Sequence, residues 1–403
     1  MSEYEDIYRH LHSNPELSMR EFDTAALTVD QLGKRGFEVI SGIGGSGVVA
    51  TFRNGDGPIV MLRADMDALP VEELTELPYA SSKTQIDMFG KERPVMHACG
   101  HDVHVTCLLA AAESLHNARE TWSGTAIFLF QPGEEDGAGA RAMVEDGLFD
   151  KIDKPDVLLG QHVVPTKSGT LQIRSGAALS ACDCFDIRIF GKGGHGSAPH
   201  RTKDPVLAAC SIVMRLQGIV SKEVDPAEFT VITCAYFHAG RVINIVPDFV
   251  DLKIDVRSYN PTVRKTVVEA VKRMIYAEAE ASGLPQKPSI KKPDDIPSIV
   301  NDKAVAEKLI ATFETQFPSQ ISEMKRDTGS DDFSIFATEK GIPCAYWNIG
   351  GTAPDTWDDA NRNGTLSEIP ANHSAYFAPA IEPTLKGGTD ALTLAALAFL
   401  KII

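Results

Sequence analysis

Hydrophobic positions along the chain fall into two textures. In the first 180 or so residues, continuous apolar runs alternate with helical stripes. Ile59-Val60-Met61-Leu62, Thr125-Ala126-Ile127-Phe128-Leu129-Phe130 and Val157-Leu158-Leu159 are apolar without alternation, the pattern of strands covered on both faces. Between them, Cys107, Leu108, Ala111, Ala112 and Leu115 keep helical spacing from Val103 to about Arg119. Upstream, Ser18-Met19-Arg20-Glu21 reads as a capping box that opens an amphipathic helix with Phe22, Ala25, Ala26, Val29 and Leu32 inward, closed by Gly33 or Gly36. Gly42-Ile43-Gly44-Gly45-Ser46-Gly47 fits a dinucleotide fingerprint by spelling alone. It runs into the strand Val48-Val49-Ala50-Thr51-Phe52 rather than a helix, so it is read as a hairpin-like turn. These runs predict an α/β fold with a mostly parallel central sheet flanked by helices.

From about residue 182 the pattern alternates, as in Cys184-Phe185-Asp186-Ile187-Arg188-Ile189. A helix over about 204–220, strands near 229–237 and 249–257 and a helix over about 262–281 follow. This β-α-β-β-α-β order predicts an inserted α+β sandwich over residues 182–292, within an α/β domain of residues 1–181 and 293–403. A helix near 301–315, a strand at Cys344-Ala345-Tyr346-Trp347-Asn348 and a terminal helix from about 387 resume the first texture.

At 403 residues and 43% hydrophobic composition the chain exceeds one ordinary core, consistent with this division. A net charge of -16 argues against nucleic acid or an anionic membrane surface as partner. The first residues lack a signal peptide's basic end and apolar run, and no stretch of about 18 apolar residues is seen, so a cytoplasmic location is expected. Seven cysteines without framework spacing fit reduced thiols, and the alternation around Cys182 and Cys184 suggests that those two pack rather than coordinate.

The densest chemistry is Met96-His97-Ala98-Cys99-Gly100-His101-Asp102-Val103-His104, with a thiol, three imidazoles and a carboxylate in nine residues. Cys99 and His101 flank a glycine at a helix entrance and can turn toward one divalent ion, the sulfur and nitrogen suiting zinc or a similar metal. Spacing alone does not choose among His97, Cys99, His101 and His104. Asp65 and Asp67 follow one buried strand, Glu134 and Glu135 a second, and His162 a third, and ligands of open α/β sheets gather at such carboxyl ends. Adjacent side chains point apart unless the backbone is irregular, so in a loop one glutamate can bind metal while the other faces a bound water and takes its proton. His162 and His373 are ambiguous taken singly, and Asp65 or Asp67 would serve as a ligand or as an acceptor that orients an imidazole. The glycine-rich stretch around His195 offers a hydrogen-bond donor for a developing oxyanion, or is a plain surface loop.

Together these stretches resemble the co-catalytic metal-dependent peptidase and amidohydrolase family of aminoacylase and carboxypeptidase G, in its branch of hippurate hydrolases, N-acyl-amino-acid amidohydrolases and auxin-conjugate hydrolases. The resemblance is carried by His12-Ser13-Asn14-Pro15-Glu16-Leu17, Arg63-Ala64-Asp65-Met66-Asp67, His97-Ala98-Cys99-Gly100-His101-Asp102, Gln131-Pro132-Gly133-Glu134-Glu135, Gly193-Gly194-His195, Asn244-Ile245-Val246-Pro247-Asp248 and Asn372-His373. It implies two divalent ions, zinc or manganese with cobalt or nickel as alternatives, held by Cys99, His101, Glu135, His162 and His373, and bridged by the thiolate or by solvent. It further implies Glu134 as general base, Asp67 as a supporting residue and His195 as oxyanion donor from its own or a neighbouring subunit. Asn244 and Arg257 would contact substrate, and the inserted domain would act as lid and homodimerisation surface. The implied activity is hydrolysis of N-acyl or N-aroyl amino acids, with a dipeptidase, carboxypeptidase or aminopeptidase as the rival and a non-catalytic binding relative as the third reading. Asp331 stands where the family more often has glutamate.

Overall fold

The computed structural model describes residues 2–293 and 295–403. The chain divides into two compact units, one made of residues up to Ala178, Val300–Lys325 and Asp331–Ile403, the other of Leu179–Ile299 and Arg326–Ser330.

The first unit is built on a nine-stranded sheet. Its spatial order is Glu38–Ile43, Gly47–Asn54, Trp122–Gln131, Ile59–Asp65, Val157–Lys167, Cys344–Thr352, Leu171–Ile173 and Ile321–Glu323, with Lys401–Ile402 beside Trp122–Gln131. The four central strands, Trp122–Gln131 to Cys344–Thr352, run parallel. Their apolar runs are buried along nearly their whole length, as expected of strands covered on both faces. The helices Ser2–Ser13, His101–Asn117 and Ile381–Phe399 contribute to one core with them, and Val105, Leu108, Ala112 and Leu115 are fully buried. Gly42–Gly47 closes the antiparallel hairpin of Glu38–Ile43 and Gly47–Asn54.

One local expectation is overturned. The capping box does not form: the helix Phe22–Lys34 starts after Glu21 without a side-chain cap, and Thr24, Ala25, Thr28 and Leu32 are its buried face. Phe22 and Ala26 are exposed. The Ser18 hydroxyl donates to Asp67 instead (2.7 Å), while Glu21 accepts from the backbone N–H of Gly133 (2.8 Å). By length and composition alone the helix Pro205–Lys222 would suffice to cross a membrane. Its Ala208, Ala209, Ile212, Leu216 and Ile219 nevertheless form a buried stripe in the core of the second unit.

The second unit is an antiparallel sheet ordered Thr230–Ala239, Phe249–Ser258, Ala181–Phe190 and Ser289–Lys291, with the helices Pro205–Lys222 and Pro261–Ala281 on one face. Side chains at Asp204 and Asn260 cap the two helices, and each is followed by a proline whose missing N–H costs nothing there. This unit takes in 293–299 and the returning segment Arg326–Ser330, which the sequence pattern had placed with the first domain. Long-range bonds hold the return: Ser180 Oγ donates to the carbonyl of Thr328 (2.7 Å) and Tyr259 Oη to that of Asp327 (2.9 Å).

The first unit also buries an ion triad away from the strand ends. His12 sits between Asp102 (Nδ1 to Oδ2, 2.7 Å) and Glu73 (Nε2 to Oε1, 3.0 Å). Burial pulls its pKa down, but hydrogen bonds to the two carboxylates outweigh burial and raise it to about 9. A group raised on folding stabilises fully below its unfolded value, near 6.5, and loses that contribution as pH climbs through the folded value. We therefore expect urea stability of the first unit to fall by on the order of 3 kcal/mol between about pH 6.5 and pH 9. His12→Gln should flatten that slope; an equally steep slope in the variant would remove His12 as its source.

Candidate metal centre

Two strand ends, the interior of a third strand and one helix entrance converge. The helix His101–Asn117 begins after Gly100, whose φ of 81° lies in the left-handed region. A Cβ there would come within 2.3 Å of Val163 Cγ1, so only glycine lets Cys99 and His101 approach the strand Val157–Lys167 this closely. His162 lies within that strand, not beyond its end as the sequence suggested, since pairing with Cys344–Thr352 carries the strand on to Lys167. Glu134 and Glu135 lie in the turn that follows Trp122–Gln131. His373 takes a positive φ of 69°, and its backbone N–H is tied to the carbonyl of Ala98 (2.7 Å).

The structure brings Cys99, His101, Glu134, Glu135, His162 and His373 together. Donor atoms of Cys99, His101 and His162 lie within 4.8 Å of one another, as do those of Cys99, Glu135 and His373 and those of His101, Glu134 and Glu135. Cys99 Sγ is 3.5 Å from His162 Nε2, and Glu135 Oε2 is 3.3 Å from His373 Nε2. His101 Nε2 lies 3.8 Å from Glu135 Oε1 and 3.9 Å from Glu134 Oε2.

Hydrogen bonding sets which ring nitrogen faces the cluster. His101 Nδ1 donates to Asp67 Oδ1 (3.2 Å) and His162 Nδ1 to the carbonyl of Val163 (2.8 Å), so in both rings Nε2 is the nitrogen left facing the cluster. Asp67 also accepts from the backbone N–H of Glu135 (2.9 Å), so one carboxylate positions two members of the cluster. His104 is different: Nδ1 bonds Asp65 and Nε2 accepts from the Val163 N–H (2.8 Å), leaving it no lone pair to offer. His97 is buried but belongs to none of these donor groups. Sequence reasoning missed Asn372 Nδ2, which donates to the carbonyls of Cys99 (3.2 Å) and Val163 (3.1 Å) and pins the two segments together. Its position beside His373 was the available signal.

The cluster is suited to cations. His101 Nε2 and Glu135 Oε1 are buried without a hydrogen-bond partner among the described residues, although such groups are costly to leave unpaired. Burial and the neighbouring Glu135 push the Cys99 thiol up, and burial, Asp331 and Glu135 push the Glu134 carboxyl well above the usual carboxylate range. Hydrogen bonds to Cys99 and Glu135 raise His373 to about 10. Crowded acidic groups that favour a proton in this way equally favour a metal ion in its place. Thiolate, imidazole and carboxylate donors fit borderline-soft divalent ions.

The remaining candidates lie in the second unit. His195 and Asn244 are brought together by a short ladder, Gly194–His195 with Ile245–Val246, and the Gly196 N–H donates to the Asn244 carbonyl (2.8 Å). The stretch around His195 is thus paired rather than loose. His195 Nδ1 accepts from the backbone N–H of Ser197 (3.1 Å), which puts the ring proton on Nε2. Arg257 Nε binds Asp255 and its Nη1 binds Ser330 Oγ (3.0 Å).

A mostly parallel sheet with these donors gathered beside its central strands places the chain among metal-dependent hydrolases of α/β fold. It belongs to peptidase family M20/M25/M40, whose sequence profile matches residues 61–378. The chain is 38% identical to the hippurate hydrolase of Campylobacter jejuni, covering 85% of this chain and 87% of that protein. It is 35% identical to thermostable carboxypeptidase 2 of Saccharolobus solfataricus, covering 98% and 94%. Among solved structures it resembles a dinuclear metal-binding M20 peptidase of Bacillus subtilis, with a TM-score of 0.77, 26% identity and coverage of 99% and 98%.

Asp67 orients His101 and the Glu135 backbone at once, so Asp67→Ala should weaken zinc binding by about 10- to 100-fold. Competition against a chromophoric chelator measures this, with circular dichroism confirming the fold. Unchanged affinity would show that the imidazole is positioned by other contacts.

Proposed function

We propose that the chain is an amidohydrolase that uses two divalent metal ions to cleave N-acyl or N-aroyl amino acids of the hippurate kind. The observation that carries this reading is the division of the adjacent glutamates: Glu135 faces His373 and His101, while Glu134 sits beside the same cluster under the influence of Asp331. Cys99, His101, Glu135, His162 and His373 would hold the ions, with Cys99 common to two of the donor groups. Bound there, such ions polarise a scissile carbonyl and acidify water.

The chain's own groups then have defined tasks. Glu134 takes a proton from the attacking water and passes it to the leaving amine, and its raised carboxyl pKa favours holding that proton between the two events. His195, with its proton on Nε2, donates to the oxyanion, from its own or a neighbouring subunit. Asn244 contacts the substrate. Arg257 is engaged with Asp255 and Ser330 and serves better as an orienting partner for Asp255 than as a substrate ligand.

Zinc or manganese is the preferred metal, cobalt and nickel being tolerated by the same donors. Self-association through the second unit is supported by its edge strand Thr230–Ala239 and the exposed Leu207, Met214, Val231 and Phe237. The scattered cysteines, which lack disulfide-framework spacing, support a cytoplasmic location. The likeness to a carboxypeptidase favours one second reading, peptidase activity by the same groups.

A panel of hippurate, N-acetyl amino acids, auxin conjugates and free dipeptides separates the readings. Blocked substrates should be hydrolysed, and Glu134→Gln should lower kcat by about 10²- to 10⁴-fold with metal content unchanged. Cleavage of unblocked dipeptides alone would replace the amidohydrolase reading with the peptidase one. Full activity in the variant would remove Glu134 as base, and an inert wild type with metals bound would favour a binding protein.

A further inference from the structure

The helix-free face of the second unit's sheet carries a compact set of donors that the proposed reaction does not use. Cys182 and Cys184 lie two residues apart on the strand Ala181–Phe190 and so share a face. Arg257 stands opposite Cys182 and Asp255 opposite Cys184 on the neighbouring strand Phe249–Ser258. Phe185, Ile187 and Ile189 belong to the other face, in the core with the two helices. The two sulfurs are 3.6 Å apart, and Asp255 Oδ1 lies 3.4 Å from Cys182 Sγ and 3.8 Å from Cys184 Sγ. Arg257 Nε donates to both oxygens of Asp255, at 3.0 and 2.9 Å.

We infer that Cys182, Cys184 and Asp255 form a site for one thiophilic divalent cation of the zinc class, separate from the cluster around Cys99. The spacing matches the coordination shell: with zinc–sulfur bonds of about 2.3 Å, zinc–oxygen bonds of about 2.1 Å and tetrahedral angles, the donor edges come to about 3.8 Å between sulfurs and about 3.6 Å between sulfur and oxygen. The charge matches too. Two thiolates and a carboxylate beside one guanidinium leave two negative charges, which a divalent cation neutralises, the thiol protons passing to solvent on binding. The donors sit on two hydrogen-bonded central strands, and Arg257 holds the carboxylate in orientation, as groups behind a metal ligand commonly do. Cys182 is buried while Cys184 and Asp255 are half-buried, so solvent can complete the shell from their side.

A disulfide fits less well. Alternate residues of an extended strand have Cα atoms about 6.6 Å apart, at the upper limit of disulfide geometry. An ion here would instead clip the two central strands together.

Chelator-stripped protein reloaded with zinc under reducing conditions should hold one more equivalent per chain than C182S/C184S, by elemental analysis. Cobalt loading should give a thiolate-to-cobalt charge-transfer band that is weaker in the variant than in wild type, Cys99 being intact in both. Equal metal content and equal spectra in two folded proteins would overturn the site. A measurement on wild type alone guards against a variant that fails to fold: zinc should slow alkylation of Cys184 by iodoacetamide about tenfold, read by peptide mass spectrometry. An unchanged alkylation rate would overturn it equally.

Discussion

The buried guanidinium of Arg63 is the constraint on which the first unit's donor cluster rests. It bonds Gln131 through Nε (2.8 Å), Asp65 through Nη1 (2.6 Å) and Asp331 through Nη2 (2.9 Å), so one cation ties two strand ends to the segment at 331. Asp65 in turn holds His104, and His104 accepts from the backbone N–H of Val163, next to His162. Tyr346 closes the circuit by donating to Asp331 (2.6 Å). Charges this deep are tolerable only because every one of them is paired, and removing any partner would leave another stranded. The polar layer beneath the cluster therefore acts as a rigid floor. Asp331 also reaches Glu134 electrostatically.

Much of this was legible in the sequence, for a physical reason. Strands covered on both faces must be apolar throughout, so the polar residues that end them stand out, as Asp65 and Asp67 do after Ile59-Val60-Met61-Leu62. The helix at His101 was legible from its 3.6-residue spacing and from Gly100. What was not legible depended on competition between partners that only the folded chain brings together. Ser18 has the spelling of a helix cap, but its hydroxyl reaches Asp67, a partner 49 residues away. The same holds for the histidines of 97–104. Spacing treats His101 and His104 alike, and only the bonds made by the second nitrogen of His104 distinguish a donor turned toward the cluster from one already spent.

The adjacent glutamates show how local irregularity becomes chemistry. In a regular strand Glu134 and Glu135 would face opposite sides, one of them lost to solvent or core. In the turn after Gln131 both are held near His101, and the backbone N–H of Glu135 is anchored by the carboxylate that orients that imidazole. Burial, reinforced by the like charges of Asp331 and Glu135, raises the Glu134 carboxyl, which suits a group that must take up a proton and release it. Side-chain alternation has a comparable consequence in the second unit, where it suggested packing for Cys182 and Cys184 yet is what sets both sulfurs on one face beside Asp255.

The central claim is that donors from the turn after one strand, from within a second strand, from a helix entrance and from the left-handed residue 373 form one metal centre. Anomalous scattering from crystals of the zinc-loaded protein tests it most directly. The account predicts two ions bounded by Cys99, His101, Glu135, His162 and His373. Ions ligated instead by His97 or His104, or density absent from this cluster in fully loaded protein, would contradict it.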